Sequence, residues 1–338
     1  MERLKFIYKR FLLLIIMLLG VATIVFALTK LVPGDPAVAN LSQRSLSNPT
    51  IVAAYNEKHG LDKPIIVQYI IYVKNIAQLD LGTSMRTNKS VMYELQRCFP
   101  ATIELALFSI ILAAIFGILF GIISALRRNS FIDQIVRAIS VIGVSIPSFW
   151  LALIVLYIFY YKLQILPGPG RLGSHFIAPQ TVTGLYTIDA LLEGNFATFF
   201  NALRHLLLPG SVLASFTMGL ITRTTRSNLL DVMSMDYIRT AKAKGLSERK
   251  IVTEQALGNA LIPVLTVIGL GFGNLLGGMV LVETIFSWPG LGQFAYNSVK
   301  ALDFPAIIGV SLLIALNYMI INTIVDILYG LIDPRVRN

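Results

Sequence analysis

Long apolar runs separated by short charged stretches set the pattern of this chain. The first run, residues 11–29, holds 19 residues without a charge and follows Arg3, Lys5, Lys9 and Arg10. Five more follow at 101–126, 138–161, 206–222, 260–282 and 306–329. An α-helix rises about 1.5 Å per residue, so about 20 apolar residues cross a bilayer's hydrocarbon. Each run therefore predicts a membrane-spanning helix. Pro147 falls in the third run and Pro209 near the start of the fourth. Proline is tolerated in such helices where neighbours or water satisfy the carbonyl it frees. The first run also has the basic head and apolar core of a signal peptide. It is longer than a usual signal core and leads into residues 31–36 (LVPGDP) instead of a small-residue cleavage site, so a retained helix is expected.

A shorter apolar stretch, residues 65–73 (IIVQYIIYV), is flanked by Lys63 and Lys74. Ile66, Ile70, Val73 and Ala77 share one helical face. This predicts an amphipathic helix at the membrane interface or against the bundle, not a span. Basic residues then test the topology. With six spans and the N-terminus inside, the inside segments 1–10, 127–137, 223–259 and 330–338 carry 4, 3, 7 and 2 Lys or Arg. The outside segments 30–100, 162–205 and 283–305 carry 8, 3 and 1, over about twice as many positions. The excess lies inside, as the positive-inside rule requires. Counting 65–73 as a span would put the basic 223–259 loop outside.

Composition sharpens this picture. Of 338 residues, 55% are hydrophobic and 14% charged, against about 25% charged in soluble domains. That leaves too little polar surface to cover a water-soluble body, and membrane lipid is an expected neighbour. The net charge of +10 follows from cytoplasmic Lys and Arg. No nucleic-acid-binding signature accompanies it, so no nucleic acid partner is expected. Cys98, the single cysteine, has no partner for an internal disulfide and no metal-ligand spacing. His59, His175 and His205 are far apart, and no metal site is expected. No Gly-Lys pair, His-Glu-x-x-His or Gly-x-Ser-x-Gly occurs, so neither a phosphate-cradling loop nor catalytic residues are expected.

Two carboxylates, Glu104 and Asp326, fall in the spans near their ends, where water is expected to solvate them. A proton-coupled transporter would place its carriers near the midplane. The energy source is therefore expected on another polypeptide, and a stand-alone secondary transporter is the weaker alternative. Gly117 and Gly121, and the ladder Gly269, Gly273, Gly277, repeat every four residues. Such ladders let backbones approach closely, either within the bundle, at a subunit interface or along a translocation path.

The inside loop 223–259 is the most informative segment. Asp236, Tyr237, Ile238, Arg239, Thr240, Ala241, Lys242, Ala243 and Lys244 predict a short helix, with an acid at its N-terminal end and lysines at its C-terminal end as the dipole prefers. Gly245 suits a left-handed stop. Ser247 then caps a second helix from Glu248 to about Gly258, and residues 259–263 lead into the fifth span. A helix–glycine–helix lever joined to a span could pass motion from a docked partner. A basic loop that only sets topology is the plainer alternative.

This loop resembles the EAA loop of binding-protein-dependent ABC importer permeases. Arg239-Thr240-Ala241 stands where Glu-Ala-Ala would be, followed by Gly245 and residues 259–263 (NALIP). The missing glutamate and the more distant Pro263 fit the dipeptide/oligopeptide/nickel branch, whose loop is similar to Asp-Tyr-x-Arg-Thr-Ala-x-Ala-Lys-Gly. Residues 31–36, 60–64 (GLDKP), 80–84 (DLGTS), 100–105 (PATIEL), 145–150 (SIPSFW), 283–292 (ETIFSWPGLG) and 333–337 (DPRVR) resemble that branch too, its B-type subunit in particular.

The resemblance implies an all-α type I importer permease in the bacterial inner membrane. It implies a first helix within 1–30, an extracytoplasmic segment 31–100 and a five-helix core 101–338 with both termini cytoplasmic. It further implies a second, C-type permease subunit, two ATPase subunits holding ATP and magnesium, and an extracytoplasmic substrate-binding protein. No cofactor binds this chain directly. Residues 236–245 would be the coupling helix, with Arg239, Lys242 and Lys244 as charged contacts. The cargo would be di- or oligopeptides, with nickel or a metal chelate as the alternative. Segments 31–100 and 162–205, with Tyr55, Tyr69, Tyr72, Tyr186 and Phe176, would either meet the binding protein or anchor at the lipid interface. Glu104 would be a candidate partner for a peptide amine.

Overall fold

A computed structural model of the chain describes residues 2–31, 41, 43–58 and 60–332. Residues 32–36, His59, the closing 333–337 motif and the Asp326 side chain lie outside the described residues. In chain order the principal helices are α1 (Glu2–Leu31), α2 (Pro49–Lys58), α3 (Ile65–Ala77), α4 (Val91–Leu126), α5 (Phe131–Ser145), α6 (Ser148–Val155), α7 (Tyr186–Leu192), α8 (Phe196–Met233), α9 (Asp236–Ala243), α10 (Leu257–Gly278), α11 (Val280–Ile285), α12 (Leu291–Lys300) and α13 (Phe304–Ile332). Among the described residues the remaining pairing is one isolated antiparallel bridge, Thr83 to Ser90.

Among the described residues, four stretches are long and apolar enough to cross a membrane: Val91–Leu126, Phe196–Met233, Glu248–Gly277 and Phe304–Val325. The third predicted span is not one straight helix. α5 ends at Ser145, Ile146 is extended (φ −79°, ψ 127°), and the helix from Ser148 to Lys162 leaves at 109°. Pro147 explains the break, because its ring disfavours helical backbone at the residue before it and it offers no N–H. Counted as one span, this bent pair makes a fifth. α4 and α8 outrun their predicted apolar cores, since their polar ends continue the helical ladder beyond bilayer length.

The chain divides into two compact units, residues 1–102 with 289–319 and residues 103–288 with 320–338. In the first, α3 packs on α1 as a short amphipathic helix. Its packing face is aromatic: Phe26 stacks on Tyr72 with ring centroids 5.4 Å apart and meets Tyr69 edge-on at 5.3 Å. The Tyr69 hydroxyl pairs with Thr23 Oγ1 at 2.7 Å, and Lys30 donates to Gln68 Oε1. Tyr69 and Tyr72 are thus engaged by α1, while Ile66 and Ile70 face outward. Val91, Leu95, Leu291, Phe294, Ala306 and Val310 form an apolar core in the same unit. A polar clasp accompanies it: the fully buried Asp303 accepts from Ser84 Oγ at 2.5 Å and from the Met85 N–H at 3.0 Å. The clasp accounts for the serine of the 80–84 motif.

In the second unit small residues set the helix spacing. A Cβ added at Gly117 would lie 2.7 Å from Ile221 Cγ2, and one at Gly121 only 2.5 Å from Thr225 Cβ. α4 and α8 therefore touch almost backbone to backbone. Gly269 abuts Val325 in the same way, and a Cβ at Gly271 would meet Thr217 Cγ2 at 2.5 Å. Gly273 is buried and Gly277 exposed. Gly121→Ala is expected to destabilise the purified protein by about 1–3 kcal/mol through overpacking. Gly20→Ala, with no neighbour within 4 Å, should not. A thermal melt of the two variants checks this.

The 163–195 segment is organised by the buried Asp189. Its carboxylate accepts from the Thr183 N–H at 2.8 Å, Thr183 Oγ1 at 2.7 Å and the Gly184 N–H at 2.9 Å. Burial pushes this carboxyl up, but those donors outweigh it and hold it below its usual range. Its contribution is therefore complete above the ordinary carboxylate pKa and fades as pH falls through the depressed value.

Candidate coupling surface and its buried anchors

Helix α9 is held by two residues on one face. Ile238 and Ala241, three positions apart, are buried, while Asp236, Tyr237, Arg239, Thr240, Lys242, Ala243 and Lys244 are exposed. The buried pair joins a cluster containing Ala125 at the end of α4, Leu229 and Val232 of α8, and Ile251, Ala256 and Ala260 leading into and beginning α10. A short polar helix is thereby glued to the ends of three long ones. Burial of a side chain like Ile238 is worth about 1.5–3 kcal/mol.

The end of α9 matches the sequence expectation. Gly245 has φ +77°, the Gly245 N–H donates to Lys242 O at 3.0 Å and the Leu246 N–H to Ala241 O at 3.3 Å. That is a Schellman cap, with Leu246 packed back on the cluster. No atom lies within 4 Å of where a Gly245 Cβ would be, so the backbone conformation, not space, demands glycine here.

The segment after it departs from expectation. Ser247 precedes the helix in extended conformation but makes no side-chain cap bond. The second helix does not stop near Gly258. Glu248–Lys250 passes through a π-wound turn, Ile251–Ala256, and straight into α10. Pro263 sits inside α10 because it removes only the one bond to the Asn259 carbonyl and leaves the rest of the ladder intact. Tyr237 ties α9 to this continuous rod: its hydroxyl accepts from Asn259 Nδ2 at 3.0 Å and approaches Gln255 O at 3.4 Å. The exposed Arg239–Asp236 pair at 3.3 Å contributes little to stability.

A buried ion pair supports the same end of α8. Arg226 donates Nε to Asp133 Oδ1 and Nη2 to Asp133 Oδ2, both at 2.8 Å. Ser124 Oγ donates to Oδ1 at 2.5 Å and the Asn129 N–H to Oδ2 at 2.9 Å. Asp133 is fully buried and so joins α4, α5 and α8 at one point. Arg226 lies one turn before Leu229, which carries α9. The pair is invisible in sequence, its members being 93 positions apart. A local signal exists in the Ser130 cap three residues before Asp133, but it reads as an ordinary helix start.

A second buried pair lies at Glu104. The carboxylate is not solvated as expected: Arg171 Nη2 donates to Oε2 at 2.6 Å, and the Thr187 N–H and Oγ1 donate to Oε1 at 2.7 and 2.8 Å. The Arg171 guanidinium also lies 3.5 Å over the Tyr186 ring and donates to Gly184 O. Both oxygens of Glu104, a candidate for a peptide amine, are thus engaged from within the chain in this conformation.

Apolar spans bound at small residues, a broken helix and a polar helix clamped across span ends define a polytopic, all-helical membrane protein. Comparison with known proteins makes this specific. Residues 117–338 match the family "binding-protein-dependent transport system inner membrane component", and residues 3–106 match its N-terminal region. The chain is 47% identical over 323 residues to the probable D,D-dipeptide transport system permease protein of Escherichia coli K12, covering 96% of this chain and 94% of that one. It is 45% identical over 336 residues to the di/tripeptide transport system permease protein of Pseudomonas aeruginosa UCBPP-PA14, covering 99% of each. Its fold is similar to that of a chain of the MetNI methionine ABC transporter in an inward-facing crystal form, with TM-score 0.52 and 16% identity over 72% of this chain and 97% of that one. The chain belongs to the family of binding-protein-dependent transport system inner membrane components. It is an ABC transport permease subunit of type I architecture and not itself an enzyme.

Proposed function

We propose that this chain forms half of the membrane pathway of an ATP-driven importer of short peptides in the bacterial inner membrane. Relatives named for dipeptide, D,D-dipeptide and di/tripeptide transport, aligned along nearly the full length of both chains, support the cargo. ATP and magnesium reside on two partner ATPases, and an extracytoplasmic binding protein delivers solute to this chain and a second permease subunit. The termini and the 223–259 loop face the cytoplasm, as the distribution of Lys and Arg favours.

The observation that carries the mechanism is the two-faced burial of α9. Ile238 and Ala241 fasten it to the spans, leaving Asp236, Arg239, Lys242 and Lys244 free to meet an ATPase. Closure of the ATPases would move α9. Tyr237 and the π-wound Ile251–Ala256 turn would pass that motion into α10, and the pathway would alternate between inward and outward access. The spans bring no free energy of their own; they convert a displacement made by the partners.

The test is the reconstituted importer in proteoliposomes with its partner subunits. Uptake of labelled dipeptide is expected to require ATP and the binding protein. Reversing Arg239, Lys242 and Lys244 together to Glu is expected to weaken ATPase association about tenfold or more, since like charges juxtaposed at an interface cost several kcal/mol. ATP-independent accumulation would overturn the reading.

A further inference from the structure

A half-open, mainly apolar cavity of about 560 Å³ lies in the second unit, where α5 breaks from α6 against α8 and α10. Its volume is within the roughly 300–1,000 Å³ of small-molecule sites. The coupling surface makes no use of it, and its chemistry is unusual for a membrane segment.

Three observations converge there. First, the wall contains non-helical backbone: Ile146 is extended before Pro147, and α6 starts without a side-chain cap. Lipid-exposed irregular backbone is not found at membrane depth; it is tolerated when buried in protein or lining a watered cavity. Second, Ser145, Ser148, Thr217 and Asn274 all line the cavity. Among the described residues their side-chain polar groups have no hydrogen-bond partner. Asn274 is exposed although it stands in an apolar span, and Thr217 is only 3% exposed yet unpartnered. Hydrocarbon cannot satisfy these groups, and each left unpaired costs free energy. Water or a polar solute can. Third, among the described residues the wall bears no Asp, Glu, Lys, Arg or His.

We infer that this cavity is the solute-contacting surface of the chain, a neutral hydrogen-bonding site for the amide backbone of a short peptide. Hydroxyls and a carboxamide both donate and accept, as peptide groups do. The amides at the uncapped start of α6 add donors. Without a wall charge the site holds cationic, neutral and anionic peptides alike, and the choice among them falls to the binding protein. This inference rests on the peptide-importer reading for its ligand but not for its location.

The experiment uses the full importer with Cys98→Ser, which removes the single native thiol. Asn274→Cys and Ser148→Cys are compared with Leu119→Cys, an exposed apolar position on α4 that does not line the cavity. A cationic, water-soluble methanethiosulfonate is expected to label the first two roughly tenfold faster than the third, because the reactive thiolate forms in water and not in hydrocarbon. Saturating dipeptide with binding protein and ATP should slow that labelling. Ser145→Cys replaces Asn274→Cys if the latter fails to assemble. In a second arm, Asn274→Asp and Asn274→Lys should shift the import ratio of lysine- to glutamate-containing dipeptides in opposite directions, each by about tenfold, or about 1.4 kcal/mol. Labelling as slow as at Leu119→Cys, whether lipid or a partner subunit seals the cavity, overturns the site. So does an unchanged import ratio. If the wild type imports no dipeptide while the cavity still labels, the peptide reading fails and the ligand class with it, but the wet site stands.

Discussion

Ile238→Asp is expected to abolish peptide uptake while leaving the membrane spans folded. Ile238 is fully buried among Leu229, Val232, Ile251 and Ala256, and nothing in that cluster can pair with a carboxylate. An unpaired buried charge costs several kcal/mol. The apolar attachment of α9 rests on two side chains worth about 1.5–3 kcal/mol for an isoleucine and less for an alanine. The charge therefore lifts α9 away from the spans more readily than it unfolds them. Ile238→Val removes one methylene, should cost about 0.5–1.5 kcal/mol, and should keep transport. Uptake into proteoliposomes, with co-purification of the ATPase subunits, reads both. Wild-type peptide-stimulated hydrolysis in Ile238→Asp would show that α9 is not the lever.

Asp133→Ala should give the largest loss of stability of any single change described. The carboxylate is fully buried and takes four short hydrogen bonds, two of them from Arg226. Removing it leaves a mostly buried guanidinium without its partner, and breaking such a pair costs about 3–5 kcal/mol. Ser124 Oγ and the Asn129 N–H lose their acceptor as well. Arg226→Ala should cost a similar amount, since it strands the carboxylate. The double variant should cost less than the two singles added, because it leaves neither charge alone. Thermal unfolding of the purified complex measures all three. Additive losses would mean that the two residues act independently.

Much of the architecture was legible in the pattern of residues because bilayer thickness is a strong constraint on length. Apolar runs such as 101–126 and 306–329 have no alternative to a helix. Gly245 was legible for a different reason: a left-handed stop needs a residue without Cβ, and the basic helix before it ends there. The Gly117–Gly121 spacing likewise signalled close approach, though not that α8 would be the partner. The aromatic face of α3 was missed, since Tyr69 and Tyr72 read equally well as a recognition surface until Phe26 is seen beneath them. Glu104 was missed as an ion pair because Arg171 is 67 positions away.

Proline shows most clearly where sequence stops. Pro100, Pro209 and Pro263 lie inside continuous helices, while Pro147 marks a turn of 109°. Each removes one N–H and crowds one carbonyl, so local chemistry is the same at all four. What differs is the surroundings: a bend needs something to take up the polar backbone it uncovers, and Ser145–Ser148 adjoin a mainly apolar cavity that carries Thr217 and Asn274. Length, apolar period and glycine spacing act through the chain's own covalent geometry, and these the sequence determines by itself. Which charges meet, which helix a glycine faces and whether a proline bends its helix depend on residues far along the chain. Those were decided only when the tertiary packing brought them together.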